Sequence, residues 1–381
     1  MVKKILLFLI LGTLLLPNTM AQKNKAVLKD TLDGKFDMSN WVINLHGFVP
    51  YPTVISEPAL GSFGVALAAV FISPKKSAKQ GEQFHFPDIT GVAGMWTLNN
   101  TWGVGALRQG TFPAIGMRYT IGLGYADANM DYYRTFKNLG EKEFSFKLKP
   151  LFAVLDISEN LYRNKIFAGL KYTFIYMKSQ YKFTNHFLDS LSTVAFDQST
   201  LDEHIGTFGI YCEVDTRNTI FTPDRGIRFK PAYTFGRNWT GSQIDTDQLE
   251  GELTVFLQPV KPWVCGFRLY GVGLFNNVPF YYYPYIDMRG IPMMHYQGQQ
   301  VFQIETEQRF DITRRWSLVG FVGAGRTWSD SKNLSDESWH WAGGTGFRYL
   351  IARIFKLRMG IDIAAGPGQF SYYIVFGHYW N

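Results

Sequence analysis

The sequence predicts an all-β fold, a transmembrane antiparallel β-barrel of about sixteen strands. Three observations lead there. The chain opens with a secretory signal. Period-two alternation of apolar and polar residues then runs nearly to its end. Aromatic residues make up 17% of the chain, yet no apolar run approaches the ~20 residues of a membrane helix.

The signal comes first. Lys3 and Lys4 supply the positive end, Ile5 to Leu16 the short apolar core, and Thr19-Met20-Ala21 a small-residue cleavage site before Gln22. The core is too short to span comfortably, so a cleaved signal peptide over residues 1–21 is expected. Residues 22–40 are polar and read as a short periplasmic lead-in, with no room for a folded domain before the first strand. Residues 41–381 are read as the barrel.

After the signal, the longest apolar run is about Gly64 to Ile72. A barrel hides its apolar band from averages, because only every second strand residue faces lipid. Alternation is cleanest from Phe355 to Ala364. There Phe355, Leu357, Met359, Ile361 and Ile363 share one face, and Lys356, Arg358, Gly360, Asp362 and Ala364 share the other. The apolar face is expected against lipid and the charged face in the lumen. Ile227 to Gly236 repeats the pattern. Strands are expected to start near Ile43, Ser62, Ile89, Trp102, Ala114, Glu143, Asn164, His204, Gly226, Gln248, Trp263, Gln299, Arg314, Trp339, Phe355 and Phe370. Polar stretches Pro74–Pro87, Ala126–Lys142, Asn185–Glu203 and Ser329–Glu337 read as extracellular loops, and tight links such as Leu98-Asn99-Asn100 as periplasmic turns.

Composition bounds the chemistry. The formal net charge is +7, which in a secreted barrel fits anionic lipid headgroups or an Arg-lined lumen rather than nucleic acid. Cys212 and Cys265 match no metal spacing and read as packed free thiols. The seven His residues show no ligand spacing, and no Gly-x-Ser-x-Gly nucleophile motif occurs. No enzyme activity, metal or cofactor is expected.

Four segments then stand out, in this order. Asp215-Thr216-Arg217 precedes Pro223 and Gly226, a hairpin whose Pro and Gly fix a turn while Asp and Arg can pair. Met288-Arg289-Gly290-Ile291-Pro292 lies in the longest late connection, Asn276 to Gly298, near the aromatic cluster Tyr281 to Tyr285. In Glu305-Thr306-Glu307-Gln308-Arg309, alternation puts Glu305, Glu307 and Arg309 on one face. The chain closes on Phe376-Gly377-His378-Tyr379-Trp380 before Asn381. Together these segments, over about residues 205–381, resemble the Omp85 superfamily of outer-membrane barrels, the BamA/TamA and surface antigen D15 group. Ser56-Glu57-Pro58-Ala59-Leu60-Gly61 is similar to barrel-only members of that group.

The resemblance implies that Arg289 and Gly290 form the tip of a loop folded into the lumen. It implies that Arg289 contacts an acid on the following strand, Glu307 by motif and Glu305 as the other candidate. Ile291 stands where the family prefers an aromatic residue, and Gly323 where it often has Asp, so a second carboxylate for Arg289 is missing unless Glu305 supplies it. Phe376, Gly377 and Trp380 correspond to the terminal strand signal read by the barrel-assembly machinery. The reading expects a barrel-only member without POTRA domains, in a bacterial outer membrane. Its expected partners are outer-membrane lipid and lipopolysaccharide, the assembly machinery during biogenesis, and outer-membrane protein clients. The implied function is assistance in inserting or translocating outer-membrane components at a weak seam between first and last strands. The alternative is a passive or selective, porin-like pore, and an adhesive surface barrel is a third reading.

Overall fold

The computed structural model describes residues 28–30, 32–40, 47–55, 57–61, 63–73, 88–112, 115–136, 140–181, 202–329 and 338–380. The signal segment 1–21 lies outside the described residues. So does most of 185–203. The described chain forms sixteen antiparallel strands, joined in sequence order into one sheet. They are β1 (Gly47–Ile55), β2 (Gly64–Ser73), β3 (Asp88–Thr97), β4 (Trp102–Phe112), β5 (Met117–Phe136), β6 (Gly140–Tyr162), β7 (Ile166–Tyr181) and β8 (Asp202–Asp215). The second half holds β9 (Gly226–Gly236), β10 (Thr246–Val260), β11 (Trp263–Leu274), β12 (Gln300–Asp311), β13 (Trp316–Trp328), β14 (His340–Ala352), β15 (Leu357–Gly366) and β16 (Gln369–Phe376). The sheet curls into a nearly closed barrel.

Every expected strand start falls within four residues of the observed one, and Trp102, Gly226 and Trp263 coincide. The faces follow the alternation. On β12, Gln303, Glu305, Glu307 and Arg309 are buried inside, while Ile304 and Phe310 are exposed outside. The outer surface carries an exposed belt that includes Leu67, Val104, Leu123, Leu170, Ile210, Leu249, Leu269, Leu318 and Ile363. Such a belt is matched to lipid, not to water.

Three assignments of connections are corrected. In a strict meander, successive links alternate between the two ends of the barrel. The end of β2 at Ser73 and the start of β3 at Asp88 therefore lie opposite to the ends of β7 at Tyr181 and β13 at Trp328, and Pro74–Pro87 itself lies outside the described residues. Leu98–Asn100 lies at the same end as Tyr181 and Trp328, where Asn99 donates to Asn129 O at 2.8 Å. Length does not mark the side of a link; strand parity does. The stretch Ala126–Lys142 is mostly strand, because β5 and β6 run 20 and 23 residues.

The end carrying residues 275–299 is here the loop end, and the opposite one the turn end. At the loop end, β5, β6 and β7 bring Ala128, Met130, Phe146, Leu148 and Met177 onto Phe280 and Met294 of the 275–299 loop. The Phe146 and Phe280 rings sit 4.5 Å apart. Glu57, in the β1–β2 link, accepts from Met293 N at 3.0 Å. These contacts form a dome over the barrel mouth.

Candidate functional site

The loop 275–299 leaves β11, folds inward and returns to β12. Its first part is fixed by Gln297, whose amide donates to Phe280 O at 2.9 Å and to Tyr283 O at 3.3 Å. Phe280 and Tyr283 are both buried. Below them, Ile286, Met288 and Ile291 form an apolar cluster with Val272, Val301 and Ala342. That cluster seats Arg289 deep in the lumen, 1% exposed.

Arg289 faces two carboxylates. Its Nη2 is 2.7 Å from Glu307 Oε2, and its Nη1 donates to Asp362 Oδ2 on β15 at 2.6 Å. Only the Asp362 contact has directed hydrogen-bond geometry, and the Glu307 contact is an ion pair by proximity. Two aromatic rings flank the guanidinium, Phe321 at 3.6 Å and Tyr379 at 4.6 Å. The negative ring faces add to the cation's stabilisation in a site water does not reach. Arg348 shares Asp362, donating to Oδ2 at 2.9 Å. Paired charges of this kind lose hydration on burial, so each depends on the others remaining in place.

The second carboxylate therefore exists and comes from β15. Glu305 is engaged elsewhere, with Arg268 at 2.7 Å. Gly323 is bare because the loop occupies its space. A Cβ there would lie 2.8 Å from Met288 Sδ. Gly290 has φ +94, and its added Cβ would lie 3.1 Å from the Ala365 carbonyl, so a side-chain-free residue suits the bend. Its amide donates to Tyr373 Oη on β16 at 2.9 Å. The loop tip thus rests on β12, β15 and β16 together.

Asp215 and Arg217 pair with each other, 2.8 and 3.0 Å apart at their two contacts. Gly226 takes φ +117, and a Cβ there would lie 2.5 Å from Arg217 Cα. The turn between β8 and β9, residues 216–225, crosses to the far wall. Arg309 binds Asp224 and donates to Pro223 O at 3.3 Å. Lys356 also binds Asp224, and Thr219 donates to Phe355 O at 3.3 Å. This turn closes part of the turn end of the lumen.

The chain terminus is corrected as well. The strand stops at Phe376. Gly377 has φ +81, donates to Arg358 O at 2.7 Å, and turns the chain inward. His378 then lies 5.2 Å from the Phe256 ring and Trp380 6.1 Å from it, against β10. A Cβ on Gly266 of β11 would lie 2.9 Å from the Trp380 ring. Gly377 and Trp380 therefore belong to a lumenal tail rather than to the last strand.

Sequence reading missed Asp362, Arg348, Tyr373, Tyr379 and Asp224. Asp362 was in view on the charged face of its strand. Nothing local linked it to a loop residue 73 positions earlier.

Among the described residues, β1 and β16 are the ends of the hydrogen-bonded order and do not pair. An open cleft of about 440 Å³ lies between them, lined by Val54, Ile55 and Glu57 on one side and Tyr373 to Phe376 on the other.

A sixteen-stranded meander with an inward loop, a lumenal tail and an unpaired seam defines a class of barrel. Neither a protein-family model nor a curated protein matches the sequence. Solved structures do. The barrel is similar to BamA from Haemophilus ducreyi lacking POTRA domains 1-3, with TM-score 0.56 and 11% identity over 86% of this chain. It is similar to CdiB from Escherichia coli, with TM-score 0.63 and 10% identity over 85%, and to CdiB from Acinetobacter baumannii, with TM-score 0.57 and 10% over 87%. The chain spans 69% of that BamA chain and less than two thirds of the CdiB chains, 61% and 60%. At these identities the likeness is one of fold, that of the BamA and CdiB barrels.

Proposed function

We propose that this protein is an outer-membrane barrel of the Omp85 type that assists insertion or translocation of outer-membrane components at the β1–β16 seam. One observation carries the reading: fourteen of the sixteen strands are paired on both edges, whereas β1 and β16 face each other unpaired across a cleft. An unpaired edge presents a row of N–H and C=O groups that can template an incoming strand. The loop end is assigned to the cell exterior and the turn end to the periplasm. Arg289 braces β15 and the Gly290 amide braces β16 from inside, so the loop holds one side of the seam. The dome, the crossing turn and the lumenal tail all occupy the path a solute would take, which favours this reading over a passive pore.

The experiment is a bridged seam. Cysteines replace Val54 and Ile374 in a Cys212→Ser, Cys265→Ser background, joined by a short cleavable cross-linker. The bridged barrel is expected to insert a reporter β-barrel protein into liposomes at least tenfold more slowly, with recovery on cleavage. Equal rates in bridged and free barrels would reject the seam as the working part.

A further inference from the structure

At the turn end, away from Arg289, three carboxylates converge on one guanidinium. Residues 28–30 and 32–39 fold back on one another through a bridge between Lys29 and Phe36, with Asp30 N donating to Lys35 O at 2.9 Å. Asp30, Asp33 and Asp37 each accept from the amide two residues on, Leu32, Lys35 and Ser39, at 3.0, 3.0 and 2.7 Å. These Asx turns orient the carboxylates before any partner arrives. Arg315, in the link between β12 and β13, then reaches all three. Its Nη2 lies 2.5 Å from Asp30, its Nε 2.8 Å from Asp33 and its Nη1 2.6 Å from Asp37. Arg353, in the link between β14 and β15, holds Asp30 at 2.6 Å. The amides of Arg353 and Ile354 donate to Asp37 and Ser39 at 3.0 Å each, and Met38 N donates to Ile351 O at 2.6 Å.

The clamp seats the chain beneath β13, β14 and β15. Six residues, 41–46, separate Asn40, which directly follows the seated Ser39, from Gly47 at the start of β1. The strand at the free edge is therefore anchored on the other side of the seam, beyond β16. Seven Cα steps extend to about 24 Å at most. Two strand spacings use about 10 Å of that.

We infer that residues 28–39 are a clamp, centred on Arg315, that limits how far β1 can separate from β16 at the turn end. While it is seated, the base of the seam opens by about three strand spacings at most. Wider opening requires all three carboxylates to leave both guanidinium groups together. The inference rests on the seam described above, but its geometry does not depend on what the seam does.

The test uses the full mature chain in lipid, with spin labels on cysteines replacing Val54 and Ile374 in the Cys212→Ser, Cys265→Ser background. Arg315→Ala leaves three carboxylates facing one another and should release the clamp. The triple variant Asp30→Asn, Asp33→Asn, Asp37→Asn keeps the turns and removes the charge, so it carries the same test should Arg315→Ala fail to fold. Trypsin cleavage at Lys35 reports release. Both variants are expected to be cut faster at Lys35, whose side chain is already exposed but whose backbone the clamp holds, and to raise the long-distance population at least threefold, with Arg315→Lys intermediate and the distances of Lys35→Ala unchanged. Release with an unchanged distance distribution would overturn the inference. So would a triple variant that stays protected, because the clamp would then not be ionic. Failure of reporter insertion in the bridged-seam experiment leaves these distances untouched, so the two readings fail separately.

Discussion

Arg289 is held by unlike partners, and they predict unlike outcomes. Asp362 keeps Arg348 when Arg289 is removed, whereas Glu307 loses its nearest cation. Arg289→Ala is therefore expected to destabilise the barrel by about 3–5 kcal/mol, the usual range for breaking a buried pair. Urea unfolding in micelles, followed by the gel mobility of folded against unfolded protein, measures it. Arg289→Lys should recover less than half, because one ammonium cannot address two carboxylates and two rings as a planar fork does. The clamp makes a different prediction, in pH. Hydrogen bonding from Arg353 holds Asp30 below the usual carboxylate range, and that from Arg315 pulls Asp33 down to about 2. Burial pushes Asp37 up, but hydrogen bonds from Ser39 and Arg315 outweigh it and the net direction is down. The folded values lie below the unfolded value of about 3.9, so the contribution is complete above that pH and is lost as pH falls toward 2. A spin label on Leu32→Cys should be immobile from pH 5 to 8 and become mobile below about pH 3. Arg289 and Glu307 were legible in the sequence because both sit in short local patterns. Asp362 and the carboxylates around Arg315 were not, since only the closed barrel brings them to their partners.

Among the elements, the turn 216–225 depends most on a single residue. At Gly226 a Cβ would strike the Arg217 backbone at 2.5 Å in a left-handed conformation. Gly226→Val should displace the turn, separate Asp224 from Arg309 and Lys356, and cost about 1–3 kcal/mol of local strain. Thermal unfolding should shift down, and Arg309→Ala should add little on top of it, which a double-mutant cycle checks. The strands were legible wherever one face meets lipid. Beyond the lipid that constraint ends, which is why the long ends of β5 and β6 read as loop. The terminal segment shows the converse. Alternating aromatic residues from Phe370 onward look like strand to the last residue, and only Gly377 marks the place where the chain leaves it.

At the scale of the whole molecule, three segments lie inside the barrel: the dome, the crossing turn and the tail. The wild-type barrel in a planar bilayer is expected to be closed or to flicker briefly, and removing one obstruction should leave it so. Gly226→Val combined with deletion of residues 377–381 and of the loop residues 280–296 should give a steady conductance. A steady open channel in the wild type would instead restore the pore reading. Strand number and order were legible because each alternating run is bounded by turn residues. Side was not, because it depends on counting every strand without error.

The clamp joins residues 282 and 285 positions apart in the chain. Neighbouring strands meet across short links and can zip up in order, but loop-closure entropy opposes so distant an encounter until the wall has curled. Arg315 follows β12, and Arg353 follows β14. A chain stalled with its last strands unformed offers the acidic hairpin no seat. Seating of residues 28–30 and 32–39 must therefore follow closure of the last strands, although this stretch precedes the whole wall in the sequence.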